Sequence, residues 1–290
     1  MLASALIVFR EVFEAGLILG IVLSATRGVV GRAGWVAGGV LGGLLGACLV
    51  AVFAGAIGEA MQGSGQEVFN AAILLTAAVM LGWHNVWMAR HGREMAGEMK
   101  ALGRGVSDGS RTLLALAVVV GVAVLREGSE VALFLYGLTV GGDGGLALLG
   151  GGVLGLLGGG AVAALLYRGL VSIPTRQLFR VTNVMLSLLA AGMAAQAAGF
   201  LIQADLLPAW GAQIWDSSAV LDQKSIIGRA LHALVGYSDR PAGLQLVVYG
   251  ATLAALLVAG RATSPKVATS PSGSHQVTTA PQRAREPYRV

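Results

Sequence analysis

Charged residues and cysteines are scarce in this sequence, and each scarcity excludes a class of protein. Charged residues make up 12% of its 290 positions, about half of the roughly 25% that is typical of soluble globular domains. The single cysteine, Cys48, excludes a disulfide framework and any CxxC metal or redox site. Neither an HExxH pattern nor a Ser-x-x-Lys pattern is present, so we expect a protein that is not an intramembrane hydrolase.

The residues that are abundant indicate an all-α membrane protein that crosses the bilayer several times. Hydrophobic residues make up 55% of the chain, and the mean hydropathy is +0.74. The 44 glycines follow no triplet period, which excludes a collagen-like chain. The net charge of +5 does not indicate a nucleic-acid partner, because the basic residues are concentrated in alternate loops and in the C-terminal segment.

Seven apolar stretches are long enough, or nearly so, to cross about 30 Å of hydrocarbon. Because lipid offers the backbone no hydrogen-bond partners, we expect each stretch to be an α-helix. The first stretch lacks a preceding basic segment and carries charges, so we expect a retained span and not a cleaved signal peptide. The predicted spans are residues 2–25, 34–57, 68–89, 112–138, 145–167, 179–203 and 244–260.

The distribution of arginine and lysine between the loops predicts the orientation of the spans. Fifteen basic residues follow spans one, three, five and seven, whereas only Lys224, Arg229 and Arg240 lie on the opposite side. By the positive-inside rule, the N-terminus should be outside and the C-terminus in the cytoplasm. The outer loops are acidic, which reflects either simple tolerance of export or a weak cation-attracting vestibule. Residues 261–290 should form a disordered, basic cytoplasmic tail.

One charged pattern, Arg-Glu-x-x-Glu, occurs twice inside these apolar stretches. The first copy, REVFE, occupies residues 10–14, and the second, REGSE, occupies residues 126–130. An ionisable residue at the centre of a membrane helix costs roughly 2.5–3.5 kcal/mol to insert, so six unpaired charges would cost about 15–20 kcal/mol, above a typical folding stability. Residues three and four apart share a helix face, so each copy presents its arginine and both glutamates together.

The spacing of the two copies predicts an internal repeat of opposite orientation. They lie 116 residues apart, in spans one and four, and an odd number of crossings reverses the direction of the second copy. Residues 1–90 and 112–203 should therefore form two inverted three-helix repeats. Residues 244–260 would add a seventh helix, which completes a permease domain of residues 1–260. Inverted repeats usually place a substrate site near mid-membrane, where the halves meet.

Four glutamates that meet in this way would form a transmembrane cation site. Carboxylate oxygens are hard ligands that suit hard cations and oxygen-preferring transition ions. Each arginine can orient a carboxylate, and the two copies together have a formal net charge of −2. Two independent Arg–Glu pairs that only join helices are the structural alternative. A proton relay through the same glutamates is a further one.

These motifs and this topology resemble the oxidase-dependent iron permease family, particularly its bacterial EfeU-type members. The segments FREVFEAGLILGIVLS (residues 9–24) and VLREGSEVALFL (124–135) are similar to that family's first and fourth helices. The segments IWDSSAVLD and GYSDRPAG are similar to its loop between helices six and seven. The family's usual motif is REGLE, so both copies here keep the charged positions and change the spacers.

The resemblance implies a membrane transporter and no enzyme: a high-affinity permease that moves iron across the bacterial inner membrane into the cytoplasm. Iron would be the substrate, carried as ferric iron or as ferrous iron with coupled oxidation, and no cofactor would be permanently bound. An extracytoplasmic oxidase or iron-binding protein is implied as a partner. A permease for another cation, such as lead or manganese, and a non-transporting metal-sensing component are the alternatives. The residues that the resemblance assigns are Glu11, Glu14, Glu127 and Glu130 to the metal pathway, Arg10 and Arg126 to supporting ion pairs, and Asp216, Ser217 and Ser218 to the outer mouth.

Other residues within the spans have simpler expected roles. His84 lies beside two tryptophans, which is typical of an interfacial aromatic belt, with metal ligation as the alternative. Asn183, Gln196 and Gln203 should form hydrogen bonds between helices, with pore lining as the alternative. Small residues at four-residue spacing should let two spans approach their neighbours closely. These glycines are Gly38, Gly39, Gly42, Gly43 and Gly46 in span two and Gly151, Gly155 and Gly159 in span five.

Overall fold

The chain folds into α-helices. The computed structural model describes residues 1–60, 65–142, 144–169, 175–223 and 225–262, and within these ranges it contains eight helices and no strand. The all-helical prediction is therefore confirmed for the described part of the chain, whereas the tail predicted from residue 261 lies almost entirely outside it. The helices are α1 (Leu2–Ala25), α2 (Arg32–Ala60), α3 (Gln66–Ser107), α4 (Leu113–Val140), α5 (Gly145–Tyr167), α6 (Thr175–Gln203), α7 (Ile226–Val235) and α8 (Gly243–Ala262).

Five of these helices are long and apolar enough to cross a membrane, as expected of a multi-pass membrane protein. They are α2, α3, α5, α6 and α8. Helices α1 and α4 contain 24 and 28 residues, which is sufficient length at about 1.5 Å per residue. Each of the two, however, carries the three charges of one motif. Five of the seven predicted spans thus meet both criteria, and the seven-span arrangement stays a prediction.

Helix α3 is much longer than the span predicted at residues 68–89. It contains 42 residues, about 63 Å at 1.5 Å per residue, twice the hydrocarbon thickness. The prediction followed hydropathy, which falls after residue 89. Backbone hydrogen bonding continues to Ser107 through a segment with four glycines, in which Ala, Met, Glu, Lys and Arg, residues that favour helix in water, make up more than half of the positions.

Helices α1 and α5 lie side by side and run in the same direction. A Cβ atom on Gly155 would lie 2.5 Å from the carbonyl oxygen of Ala5, and one on Gly159 would lie 2.6 Å from that of Phe9. The contacting positions advance together along both helices, which makes the pair parallel. The predicted packing through small residues is confirmed here, since no side chain fits at either glycine.

Helices α2 and α4 form a second parallel pair of the same kind. Gly39 packs against the backbone of Ala117, and a Cβ atom on Gly43 would lie 2.6 Å from the carbonyl oxygen of Gly121. Some of the glycines predicted to pack closely in span two, Gly39 and Gly43, therefore lie at the interface between α2 and α4. The prediction is wrong for two of the other glycines, Gly38 and Gly42, because no atom of another described helix lies within 4 Å of their Cβ positions.

Helices α3 and α6 are antiparallel. Asn85 of α3 is hydrogen-bonded to residues 183 and 187 of α6. Earlier in α3, Ala77 lies against Gly137 of α4, and the later α6 residue Met193 lies against the same glycine. Residue numbers therefore increase along α3 in the direction in which they decrease along α6.

A polar layer separates two apolar clusters in the interior. The first cluster includes Ile7 and Phe134, and the second includes Val22 and Val124. On α1 the REVFE motif lies between Ile7 and Val22, and on α4 the REGSE motif lies between Val124 and Phe134. This order places both motifs at the same level, in the middle of the helix bundle.

Candidate metal centre

The two charged motifs meet in the interior of the protein. One ligand atom from each of Glu11, His84, Glu127 and Glu130 lies within 4.8 Å of the others. The first three residues are at most 3% exposed, and the side chain of Glu130 is 13% exposed. Glu14 borders the same group, with its Oε2 atom 3.4 Å from Nε2 of His84. The structure thus brings together all four glutamates that were predicted from the motif.

In the first copy of the motif, Arg10 holds both glutamates of its own helix. Its Nε atom donates a 2.8 Å hydrogen bond to Oε1 of Glu14, and its Nη1 atom lies 4.0 Å from Oε1 of Glu11. The side chains of all three residues are 1% exposed. Glu11 and Glu14 are three residues apart, and Arg10 and Glu14 are four apart, so Glu14 shares a helix face with each of the other two.

The second copy repeats the Arg–Glu bond in a less enclosed setting. The Nε atom of Arg126 donates a 3.1 Å hydrogen bond to Oε1 of Glu130. The Arg126 side chain is 35% exposed, and its Cζ atom lies 4.4 Å from the centre of the Trp87 ring. The two copies therefore have the same internal bond and different surroundings.

His84 lies between the two motifs, so the expectation that it belongs to an interfacial aromatic belt is wrong. It is 3% exposed, its Nδ1 atom contacts Oε2 of Glu130, and its Nε2 atom lies 3.7 Å from Oε2 of Glu11. Its neighbour Trp83 is 71% exposed. Adjacent helix positions differ by about 100° in direction, so a tryptophan on the surface says nothing about the next residue. The signal that was available is the polar pair His84-Asn85 inside an apolar span.

A hydrogen bond between helices fixes the direction in which this part of α3 faces. The Nδ2 atom of Asn85 donates to the backbone carbonyl of Asn183 (3.1 Å) and to Oγ of Ser187 (3.0 Å). Span six thus forms the predicted interhelical bonds, although Asn183 contributes its backbone oxygen. Gln196 also joins two helices, through a 2.9 Å bond from its Nε2 atom to Nε2 of His232 in α7. Gln203 is exposed at the end of α6.

Several oxygens at the centre lack a hydrogen-bond donor among the described residues. They include both oxygens of Glu11 and Oε2 of Glu14, Glu127 and Glu130. Neither ring nitrogen of His84 has a partner with hydrogen-bond geometry. Buried acceptors without donors are costly, and a cation among them would remove that cost. The donor set of carboxylates with one imidazole suits a divalent transition ion.

The three residues predicted at the outer mouth lie in the folded loop between α6 and α8. Oδ1 of Asp216 accepts bonds from the backbone nitrogen (3.0 Å) and Oγ (2.5 Å) of Ser218, and Oδ2 lies 3.1 Å from Nε of Arg240. These bonds, chiefly that of the Ser218 hydroxyl, lower the pKa of Asp216 from 3.8 to about 2. Ser217 shares a 2.7 Å hydrogen bond with the Tyr237 hydroxyl. The structure thus shows these residues as a bonded turn, separate from the buried centre.

A cavity of about 410 Å³ lies beside this loop, among α6, α7 and α8. Its lining includes the polar side chains of Gln196, His232 and Gln245. A second cavity of about 20 Å³ shares Gln196 and His232 and continues to Leu74 and Met193 of the first apolar cluster. The second cavity has room for about one water molecule. Neither of these two cavities is lined by a residue of the metal centre.

The chain is similar to iron permeases over nearly its whole length. The model of the iron permease FTR1 family matches residues 1–263. The chain is 30% identical over 259 residues to the ferrous iron permease EfeU of Escherichia coli O6:H1 (strain CFT073), across 88% of this chain and 93% of that protein. It is 29% identical over 258 residues to EfeU of Shigella sonnei (strain Ss046), with the same shares covered. It is 30% identical over 195 residues to EfeU of Shigella flexneri, across 67% of this chain and 83% of that protein. No solved structure matches the chain significantly.

Proposed function

The chain belongs to the iron permease FTR1 family, and we propose that it carries iron into the cytoplasm past Glu11, Glu14, Glu127 and Glu130. One observation carries the proposal. Two motifs that are 116 residues apart in sequence surround a single buried point. Both carboxylate oxygens of Glu11 and one oxygen of each other glutamate form no hydrogen bond with the described residues there. If the motifs only joined helices through ion pairs, we would expect those oxygens to accept hydrogen bonds. In a cation pathway, the same oxygens remain available to bind the metal ion.

In this proposal the two arginines position the last glutamate of each motif. Arg10 binds Oε1 of Glu14, and Arg126 binds Oε1 of Glu130. In both glutamates the other oxygen, Oε2, lies against a ring nitrogen of His84 and forms no hydrogen bond of standard geometry with the described residues. Each arginine thus fixes a carboxylate through one oxygen and leaves the second for the metal.

We propose Fe(II) as the transported form. The relatives described above are named ferrous iron permeases. The four glutamates and two arginines have a formal net charge of −2, which one divalent ion neutralises. Of the two partner classes that the sequence resemblance implies, an extracytoplasmic iron-binding protein fits this form, because an oxidase would deliver Fe(III) to the outer loops.

The proposed topology has seven spans, with the N-terminus outside and the C-terminus in the cytoplasm. Helices α1 and α4 would complete the set of spans, and the ten-residue α7 would stay on the outer side. Because successive spans cross the membrane in opposite directions, this topology requires α1 to be parallel to α5, α2 to be parallel to α4, and α3 to be antiparallel to α6. The packing of these helix pairs described above agrees with that requirement. Two inverted repeats would pair α1 with α4 and α2 with α5, so the α1–α5 and α4–α2 contacts would be the same contact in both halves.

The experiment is uptake of radioactive Fe(II) by the purified protein in lipid vesicles, under a reductant. Glu127→Gln removes a charge and keeps the side chain's size, so we expect at least a ten-fold loss of uptake. The matched control is Glu67→Gln, because Glu67 lies exposed in the first turn of α3. Normal uptake by a folded Glu127→Gln protein would refute the pathway. Stronger competition by Mn(II) or Pb(II) than by unlabelled Fe(II) would favour another metal as the substrate.

A further inference from the structure

We propose that His84 is a metal ligand shared by both motifs, and that it makes the site prefer transition ions to magnesium and calcium. The inference rests on the proposed permease function and adds to it the residue that selects the substrate. His84 belongs to neither repeated motif. It is contributed by α3, a helix that carries no copy of the pattern.

The position of His84 is that of a bridge between the inverted halves. Its Nε2 atom faces the first motif, 3.4 Å from Glu14 and 3.7 Å from Glu11. Its Nδ1 atom contacts Glu130 of the second motif. The His84 ring can therefore supply a nitrogen ligand to a metal ion on either side: Nε2 to an ion beside the first motif, and Nδ1 to an ion beside the second.

The surroundings of the ring also indicate a ligand. His84 is 3% exposed, and neither ring nitrogen forms a hydrogen bond of good geometry with the described residues. A histidine that served only to join helices would bond to a backbone carbonyl or an amide, as His232 does with Tyr237 and Gln196. His84 instead faces carboxylate oxygens that form no hydrogen bond of standard geometry with the described residues.

The adjacent residue fixes the direction of the ring. Asn85 is hydrogen-bonded to α6 through the backbone carbonyl of Asn183 and the hydroxyl of Ser187. These bonds set the rotation of α3, and the rotation of α3 sets where His84 points. Outer partners of this kind commonly orient metal ligands.

The chemistry of the ligands gives the expected selectivity. A site of carboxylates alone suits magnesium, calcium and manganese, whereas imidazole nitrogen suits iron, zinc, copper and nickel. Magnesium and calcium are hard cations that prefer oxygen ligands. One imidazole in a carboxylate site therefore favours Fe(II) over the hard divalent ions that are more abundant outside a cell.

The test measures competition in reconstituted vesicles. Wild-type protein should take up Fe(II) in the presence of a hundred-fold excess of Mg(II) or Ca(II). His84→Asp replaces nitrogen with oxygen ligands, so we expect Fe(II) uptake to fall at least ten-fold and Mn(II), Mg(II) and Ca(II) to become effective competitors. His84→Gln, which supplies no charge, should lose uptake of every metal. His275→Gln is the matched control, since it lies beyond the region that matches the family.

A second measurement separates ligation from a merely structural role. Pulsed electron paramagnetic resonance of the protein loaded with Mn(II) should show coupling to a ¹⁴N nucleus, and this coupling should vanish in His84→Asp. Nitrogen coupling that persists in folded His84→Asp, or an unchanged order of competing metals, would overturn the inference. Failure of the wild-type protein to transport any metal would instead refute the proposed function, and the ¹⁴N signal would still report whether His84 binds metal.

Discussion

The guanidinium carbon of Arg126 lies 4.4 Å from the centre of the Trp87 ring, so this arginine rests on an aromatic face. Arg10 is its counterpart in the first motif, and its side chain is 1% exposed, against 35% for Arg126. Both arginines bind the glutamate four residues later. The two copies of the motif thus form one bond in common, but different contacts hold the arginine in place.

Replacement of Trp87 tests whether that contact matters for uptake. A cation over a tryptophan ring is worth about 0.5–2 kcal/mol, and its loss would let Arg126 and the attached Glu130 move. We expect Trp87→Leu to reduce iron uptake several-fold, with Trp87→Phe intermediate. Trp83→Leu is the control, because Trp83 is 71% exposed on the same helix. Equal effects at positions 83 and 87 would show that the loss comes from the membrane surface and not from Arg126.

The difference in burial between the two arginines predicts unequal effects on stability. Removal of one partner from a buried ion pair costs about 3–5 kcal/mol. We therefore expect Arg10→Leu to lower the unfolding temperature in detergent much more than Arg126→Leu, since Glu11 and Glu14 would stay buried without their cation. Similar losses of stability for the two variants would contradict this assignment of burial.

The sequence was sufficient to predict the convergence of the motifs because charge in an apolar segment is a strong signal. Six charges inside two predicted spans required partners, and the odd number of predicted crossings between Glu11 and Glu127 implied opposite directions. The same argument gives the direction of each predicted span but not which helices pack together. These conclusions depend on the spacing of charged residues along a helix and on whether the number of predicted crossings is odd or even. Both can be read from the sequence alone.

A place for His84 in the metal centre was predicted only as the less favoured alternative, for a physical reason. Hydropathy and neighbouring tryptophans describe the average surroundings of His84, whereas its role depends on the rotation of α3, which Asn85 fixes through α6. The short helix α7 was missed because ten residues are too few to cross a membrane, and the prediction looked for spans. Its ends were nevertheless marked: Ser225 caps it through a 2.9 Å bond from the Gly228 nitrogen, and Gly236 ends it with a φ of +72°.

Glycine packing between α1 and α5 gives a prediction about stability that does not depend on iron. A Cβ atom on Gly155 would lie 2.5 Å from the carbonyl oxygen of Ala5, and backbone atoms cannot easily move aside. We expect Gly155→Ala to destabilise the protein by about 1–3 kcal/mol, as overpacking does. Gly152→Ala is the control, because no atom lies within 4 Å of its Cβ position. The measurement is thermal unfolding of both variants in the same detergent.

The loop between α6 and α8 gives a prediction about pH. The pKa of Asp216 is lowered from 3.8 to about 2 by Ser218 and Arg240. Because the folded value lies below the unfolded one, the carboxylate stabilises the loop at pH values above 3.8, and this contribution is lost as the pH falls through 2. Protonation of Asp216 should therefore have no effect on uptake between pH 4 and pH 7.

Replacement of Asp216 should act on the capture of iron and not on its passage through the centre. Asp216→Asn removes an exposed negative charge on the proposed outer side, where charge raises the local concentration of cations. We expect the iron concentration for half-maximal uptake to rise a few-fold, while the maximal rate stays the same. Asp205→Asn, at another exposed acidic residue, is the control for a general effect of charge. A collapse of the maximal rate in Asp216→Asn alone would mean that the loop is part of the transport step, because loss of steering alone is overcome at saturating iron.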